Sequence, residues 1–420
     1  MFRQTLMAAL LGGLLSPVAQ AQDNSLFRVS GFGTLGATHF SRDDIDFGGG
    51  PNVQKGAGRS ESTSLAVDSK LGLQMRLTPT ANLEATLQTM VRKTPRDDWN
   101  PSIDWANVKY SFSENVAVRI GRIGHPFFLL SDYRQVNYAN LTLRPPVEVY
   151  NLVPVNSSDV IEGLFTLPLA GGQLNLQAGI GQVRAEVIPS LPAQRKYDKA
   201  DIDELAYVNA TYENGPWTLR VGRTEGKLSY DALSARQQIF TPLGRFGATG
   251  AAIRDAWEIR DARSSFTGIG GTYDAGRFVF TGEYVMLRSE RAFNDTDAWS
   301  LLGGYRIGKF TPYLSYAAAK TRNRIEVSDV APRLAPLLGA TTASALQAGI
   351  QSLANNSVRD QETVSLGVRW DVYKNMALKA QFDRVTPKSP GSQGFLINRS
   401  SDYPTRAAGN VFAVSLDFVF

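Results

Sequence analysis

Residues 411–420 read Val-Phe-Ala-Val-Ser-Leu-Asp-Phe-Val-Phe. Phe412, Val414, Leu416, Phe418 and Phe420 fall on one face of an extended strand. Ala413, Ser415 and Asp417 fall on the other, with Val419 the exception. At the edge of a soluble sheet such a segment would invite aggregation. As the closing strand of a barrel in a membrane, it would set one face in lipid and the other toward a lumen.

The N-terminus carries Arg3, an apolar stretch over residues 6–15, a break at Ser16-Pro17 and the small-x-small sequence Ala19-Gln20-Ala21. Residues 1–21 are expected to be a secretory signal peptide, because so short an apolar run cannot cross a hydrocarbon core of about 30 Å. Residues 22–420 are then one domain, with no linker or change of composition to divide them. A chain 43% hydrophobic with no long apolar segment spans a membrane only as a barrel, where every second residue meets lipid. Cysteine is absent, so cohesion must come from something other than disulfides, and a closed hydrogen-bonded sheet supplies it. Lys and Arg total 44 against 39 Asp and Glu, too mild an excess to suggest nucleic-acid binding.

Alternation predicts sixteen strands, near 27–38, 66–77, 81–92, 103–112, 115–123, 158–168, 172–186, 202–213, 216–228, 263–274, 277–289, 296–306, 309–321, 359–371, 375–386 and 409–420. Every second gap is short and made of turn residues, such as Leu169-Ala170-Gly171, Asp274-Ala275-Gly276 and Ile307-Gly308. The intervening gaps are mostly long; only 290–295 is short. Short turns alternating with long loops is the pattern of bacterial outer-membrane barrels, and both termini fall on the short-turn side. The expected fold is all-β: a 16-stranded antiparallel transmembrane β-barrel with short periplasmic turns, long extracellular loops and an inserted third loop.

The second strand separates its faces clearly. Val67, Leu71, Leu73, Met75 and Leu77 point one way; Asp68, Lys70, Gln74 and Arg76 point the other. Charges cost a few kcal/mol each on a lipid face near the midplane, so the charged row faces water and the lumen is wet. Tyr110, Phe112, Tyr212, Trp217, Tyr273, Trp299, Tyr305, Phe310, Trp370 and Phe382 sit near strand ends, as interfacial girdles would. In the loop 322–358, Leu346, Ile350 and Leu353 share a helical face, which predicts a short helix over the outer mouth.

A last strand ending on Phe420 resembles the final strand of Gram-negative outer-membrane proteins, where the terminal aromatic is part of the signal read by the barrel-assembly machinery. Sixteen strands with a long connection after the fifth resemble the Gram-negative trimeric general porins. Ser69-Lys70-Leu71-Gly72-Leu73 is similar to a basic-Leu-Gly-aromatic segment of that family, and Gly121-Arg122 to its Gly-Arg step before the third loop. The resemblance implies a homotrimer and places Lys70 and Arg122 in a basic cluster at the pore constriction. The glycine-rich run Gly31-Phe32-Gly33-Thr34-Leu35-Gly36 would suit a flat subunit contact. The family's acidic Pro-Glu-Phe-Gly-Gly motif is missing. The third loop here offers Asp132 and Glu148 beside Arg134 and Arg144. Alternation puts Arg119 in the lumen but gives Arg122 the parity of Val116, Val118 and Ile120. A bulge near Gly121 is expected to turn Arg122 inward.

The constriction candidates are therefore Lys70, Arg76, Arg119, Arg122, Asp132, Arg134, Arg144 and Glu148. Lumen-facing bases (Lys70, Arg76, Arg92, Lys109, Arg119, Arg220, Arg306, Arg369, Lys379) slightly outnumber lumen-facing acids (Asp68, Glu84, Glu162, Glu283, Asp371, Asp383, Asp417). An outer-membrane channel for passive diffusion of small hydrophilic solutes and ions follows, with a weak anion preference at most. The alternative within transport is a channel specific for a sugar or an organic anion, with Phe127, Phe128, Tyr133, Tyr138 and Tyr150 as a slide if the substrate is a sugar. A plugged structural barrel is another. A barrel enzyme would need His39 or His125, and neither lies in a nucleophile or acid motif. No cofactor or metal is expected, since no phosphate-binding glycine loop or metal-ligand cluster is present.

Overall fold

The computed structural model describes residues 26–51, 53–188, 197–231, 239–290, 294–355, 358–389, 394–397 and 408–420. The expected signal peptide, residues 1–21, lies outside them. Sixteen strands form the barrel. They are β1 (Phe27–Phe40), β2 (Lys70–Thr80), β3 (Leu83–Arg92), β4 (Ser102–Ser111), β5 (Val116–Gly124), β6 (Ser157–Leu169), β7 (Gly172–Val187) and β8 (Asp198–Asn214). The second half comprises β9 (Trp217–Asp231), β10 (Ala262–Ala275), β11 (Phe278–Ser289), β12 (Thr296–Tyr305), β13 (Phe310–Thr321), β14 (Gln361–Tyr373), β15 (Met376–Pro387) and β16 (Gly409–Val419). Each pairs antiparallel with its neighbours in sequence, and β1 closes the cylinder by pairing with both β2 and β16. Strand order, strand number and the alternation of short and long connections match the sequence expectation. Among the described residues no helix is long and apolar enough to cross a membrane.

The short turns work because their residues accept unusual backbone angles. Ala170 and Gly171, between paired Leu169 and Gly172, have φ of 49° and 78°. Positive φ at both central residues is the primed turn that matches the twist of a hairpin.

The outer wall is an apolar belt that includes Ile180, Ile269, Leu301 and Leu366. On the short-turn side it ends in aromatic pairs, Trp217–Tyr273, Phe278–Tyr305 and Phe310–Trp370 across neighbouring strands and Tyr110–Phe112 along one, with ring centroids 4.5–5.5 Å apart. Trp299 and Phe382 belong to the opposite end, against Tyr284 and Phe412. Rings flank the belt because each has an apolar body that suits hydrocarbon and an edge that tolerates water.

The seam between first and last strands has its own device. Gly31 and Gly33 face outward on β1, and the rings of Phe420 and Phe418 lie across them. A methyl at Gly33 would meet Phe418 Cζ at 2.4 Å, and one at Gly31 would meet Phe420 Cζ at 2.2 Å. The glycine run read as a flat surface for another subunit is thus covered by the chain's own terminal aromatics.

The expected bulge at Gly121 is absent. β5 keeps continuous register with both neighbours, from Lys109↔Arg119 to Ala106↔Arg122 on one side and Arg119↔Glu162 to Arg122↔Asp159 on the other. Gly121 has φ of 122° without an added residue. The register break lies one hairpin earlier, between Gln88 and Thr89 of β3, where Asp104 of β4 has no partner. Arg122 therefore stays on the outer face with Ile120, paired with Asp159 at 2.8 Å.

The first loop folds on itself through the short strands Asp46–Phe47 and Ala57–Gly58, and buries Phe40, Ile45 and Phe47 with Val147 and Val385. At the outer mouth, α2 (Gly247–Trp257) packs against α3 (Val330–Leu338) and α4 (Ala340–Asn355) around Leu243, Ile253, Val330, Leu334 and Ile350. The expected helix over the mouth exists and is longer than predicted. Ile350 and Leu346 face this cluster; the side chain of Leu353 is outside those described.

Candidate functional site

The third loop, residues 125–156, turns inward. Its root is a buried staple. His125 Nδ1 lies 2.9 Å from Ser158 Oγ on β6, and Nε2 lies 3.2 Å from Thr224 Oγ1 on β9. The imidazole packs against Phe127, its ring tilted by 51°, and meets Tyr207 edge-on. Desolvation, then nearby Arg220, holds His125 down to about 3, so the ring is neutral. Ser158 is 2% exposed, and neither ring nitrogen bonds a carboxylate. The pair is a closed joint rather than an accessible nucleophile and base.

Beyond the root, Phe127, Phe128, Val149, Tyr150 and Val155 bury themselves with wall residues Val183, Leu205, Tyr207, Phe266 and Val285. This answers the sugar-slide reading for three of its aromatics: Phe127, Phe128 and Tyr150 are at most 5% exposed and spent on packing. Tyr133 remains exposed, and Tyr138 is half-buried beneath the Arg369 guanidinium.

A loop inside a barrel carries many backbone polar groups that need partners. Charged wall residues supply them. Glu283 on β11 accepts from Leu129 N at 2.7 Å and from Tyr150 Oη at 2.6 Å. Arg220 on β9 donates to the Pro126 carbonyl at 2.9 Å. Lys379 on β15 donates to the carbonyls of Asn137, Asn140 and Thr142 at 2.6–3.0 Å, with Asp417 beside it at 3.0 Å. Arg369 on β14 donates to Tyr138 O at 2.6 Å. These four anchors were legible as lumen-facing charges, but nothing local to their strands says that a loop 94 to 242 residues away will use them.

The loop returns the same kind of contact. Arg144 bonds Asp68 in bidentate fashion at 2.8 and 2.7 Å, Asp383 at 2.8 Å and Thr38 Oγ1 at 3.2 Å. Although burial opposes it, the two carboxylates raise the guanidinium's affinity for its proton. Glu148, on the short helix α1 (Val147–Tyr150), accepts from Gln361 Nε2 at 2.6 Å and from Thr363 Oγ1. Its other oxygen, Oε2, is buried without a partner. Desolvation, with Asp383 adding like charge, pushes Glu148 up to about 7. Arg144 and Glu148 are therefore loop anchors behind the free surface.

The free side of the loop runs from Asp132 to Gln135 and faces β2 and β3. Gln135 Oε1 is 3.5 Å from Lys70 Nζ, and its amide shares Asn156 Oδ1 with Arg134 Nη2 at 3.3 and 2.6 Å. Burial and neighbouring Arg92 hold Arg134 down to about 10, so it is still a cation at neutral pH. Most other lumen charges cancel in pairs. Arg92 is bidentate to Asp104, Arg119 bonds Glu162, Arg306 bonds Asp274, and Glu84 sits between Arg76 at 3.6 Å and Lys109 at 3.9 Å. Among the described residues, Lys70 and Arg134 are cations beside the free side of the loop with no carboxylate partner, and Asp132 is an exposed acid with no cation. No group of three or more metal-ligating side chains occurs among the described residues.

Of the sequence-derived candidates, the structure puts Lys70, Asp132 and Arg134 at the free side of the inserted loop. It spends Arg144 and Glu148 on seating the loop and pairs Arg119 and Arg76 along the wall. Arg122 is outside.

Comparison with known proteins adds the following. The family model described as Gram-negative porin matches residues 5–390. Among curated proteins none matches the chain in sequence. Among solved structures, OmpF of Salmonella typhi, in complex with daunomycin, superposes with a TM-score of 0.55 at 10% identity over 94% of this chain and 97% of that one. The anion-selective porin of Comamonas acidovorans gives 0.52 at 13% identity, over 94% and 99%. The outer-membrane channel DcaP of Acinetobacter baumannii gives 0.51 at 12%, over 96% and 100%. At such identities the likeness is one of fold.

Proposed function

Because the chain belongs to the Gram-negative porin family, and is thus an outer-membrane channel, we propose that it passes small hydrophilic solutes and ions by passive diffusion, with a weak preference for anions set by Lys70 and Arg134. The observation that carries this reading is the third loop lying inside the barrel, its polar backbone satisfied by Lys379, Arg369, Arg220 and Glu283. A loop held in that way narrows a wet lumen without needing to fill it. Two unpaired cations against one free acid leave a small positive balance at the neck, which supports anion preference and keeps it modest.

The buried aromatics favour unspecific passage over a sugar slide. The shielded His125–Ser158 pair gives no support to catalysis. Removal of residues 1–21 on export, assembly as a homotrimer and recognition of Phe420 by the assembly machinery belong to the same proposal and rest on the sequence and the family.

The test is reconstitution of the purified protein in a planar bilayer. Stepwise conductance with a reversal potential displaced modestly toward chloride supports the reading. Silence across many insertions points to a plug, and saturable block by one sugar points to a specific channel. Cross-linking in detergent reports the subunit count, and the mass of the mature chain reports the cleavage site.

A further inference from the structure

Lys70 and Arg134 are held differently from most other cations of the lumen. Arg92, Arg119 and Arg306 are each bonded to a carboxylate, that of Asp104, Glu162 and Asp274 in turn. Arg134 is bonded to neutral oxygens. Its Nη2 donates to Asn156 Oδ1 at 2.6 Å and to the Val155 carbonyl at 3.2 Å. Its guanidinium also lies over the buried ring of Phe128, 5.6 Å from the centroid. None of these contacts carries a full negative charge, so each steadies the guanidinium without cancelling it.

Asn156 has a second donor. Gln135 Nε2 reaches the same Oδ1 at 3.3 Å. Two donors converging on one amide atom require that atom to be the oxygen. With its NH2 turned to Asn156, Gln135 presents its Oε1 to Lys70, 3.5 Å from Nζ. One side-chain oxygen thus sets the pose of Arg134 directly, and at one remove that of the group facing Lys70. The place of Asn156 in the chain suits this. It stands one residue before β6, whose first residue Ser157 pairs with Gly124 at the end of β5. Its bond to Arg134 spans 22 residues, from the returning arm of the loop, rooted in the wall, to the outgoing arm.

We propose, on the reading of the chain as a weakly anion-preferring channel, that Asn156 is a specificity-determining residue: its neutral oxygen positions Arg134, and through Gln135 Lys70, while leaving the charge of both cations to act on passing anions. An aspartate at this position would have the same size and accept the same two bonds, but would set a full negative charge against Arg134. The field that an anion meets beside the loop would then lose one of its two uncancelled cations.

The experiment is the reversal potential of the purified protein in a planar bilayer under a potassium chloride gradient, with single-channel current recorded alongside. Asn156→Asp should lower the chloride-to-potassium permeability ratio roughly three- to fivefold and keep the size of the open channel, because both bonds are retained. Asn156→Ala, which removes the acceptor and adds no charge, should shift the ratio far less and broaden the open-channel noise as Arg134 loses its pose. Asn175→Asp puts the same charge on the lumen wall near the Leu169–Gly172 turn, opposite Thr166, and should also shift the ratio far less. Gln135→Glu gives a second reading if Asn156→Asp assembles poorly, and should lower the ratio comparably. An anion-preferring parent channel whose ratio is unmoved by Asn156→Asp overturns this proposal alone. So does an equal shift in Asn156→Ala or Asn175→Asp, since the effect would then come from loop disturbance or from lumen charge in general. A parent channel with no anion preference overturns the proposal together with the reading beneath it.

Discussion

Arg144 in the third loop grips Asp68, just ahead of β2, with two parallel bonds of 2.8 and 2.7 Å, although 76 residues separate them. Both side chains are buried, and Asp383 takes the remaining arm of the guanidinium. Removing the cation leaves two buried carboxylates uncompensated.

Arg144→Ala should therefore free the middle of the loop and cost about 3–5 kcal/mol, the usual penalty for breaking a buried pair from one side. In a bilayer the expected signature is noisy, larger conductance, with heat-unfolding of the barrel at lower temperature. A quiet channel of unchanged size would mean that the loop is held elsewhere.

Selectivity should follow the neck charges. Reversing one charge about 8 Å from the ion path changes an ion's energy by about 1 kcal/mol in water, a several-fold change in permeability ratio. Lys70→Glu and Arg134→Glu should each move the reversal potential toward cations under a salt gradient, and the double variant should invert the preference. Arg122→Glu, on the outer face, should leave it unmoved.

Loop seating should depend on pH through Glu148. Its carboxyl is raised to about 7 from an ordinary value near 4.5. The folded state thus binds the proton more tightly than the unfolded one. The sign follows: the contribution is fully present below about pH 4.5 and is lost as pH rises through 7. Closures and current noise should increase between pH 6 and 8.5, and Glu148→Gln, neutral at every pH, should flatten that profile. A profile unchanged by the substitution would assign the effect to another group.

Closure of the barrel should be sensitive at the seam. Gly33→Val sets two methyl groups where the Phe418 ring now lies. The ring must leave, at a cost of about 1–3 kcal/mol from overpacking, and the folded band on a semi-denaturing gel should melt at lower temperature. Phe418→Ala on the Gly33→Val background should recover part of the loss, since it removes the clash.

How much of this was legible beforehand differs by level. The sixteen strands and their turn-and-loop alternation could be read from the chain because period two and turn chemistry are local properties. The inward face of β2 could be read for the same reason. Arg122 shows where analogy to a motif failed: its parity with Ile120 already placed it outside, and the unbroken register upheld parity over resemblance. Lys379 and Glu283 were recognisable as lumen charges, but their partners are carbonyls and amides of a loop with no regular pattern.

By itself, then, the order of residues determined a closed, wet-centred cylinder with its third connection long enough to enter it. That outcome needs only neighbouring side chains to alternate and short gaps to turn. Which charges face open water, and which are bound to the loop, was decided by tertiary contact alone. Arg144 meets Asp383 across 239 residues and Lys379 meets Asn137 across 242. A buried charge takes whichever partner the closed cylinder brings within about 3 Å, and no local pattern specifies which that will be.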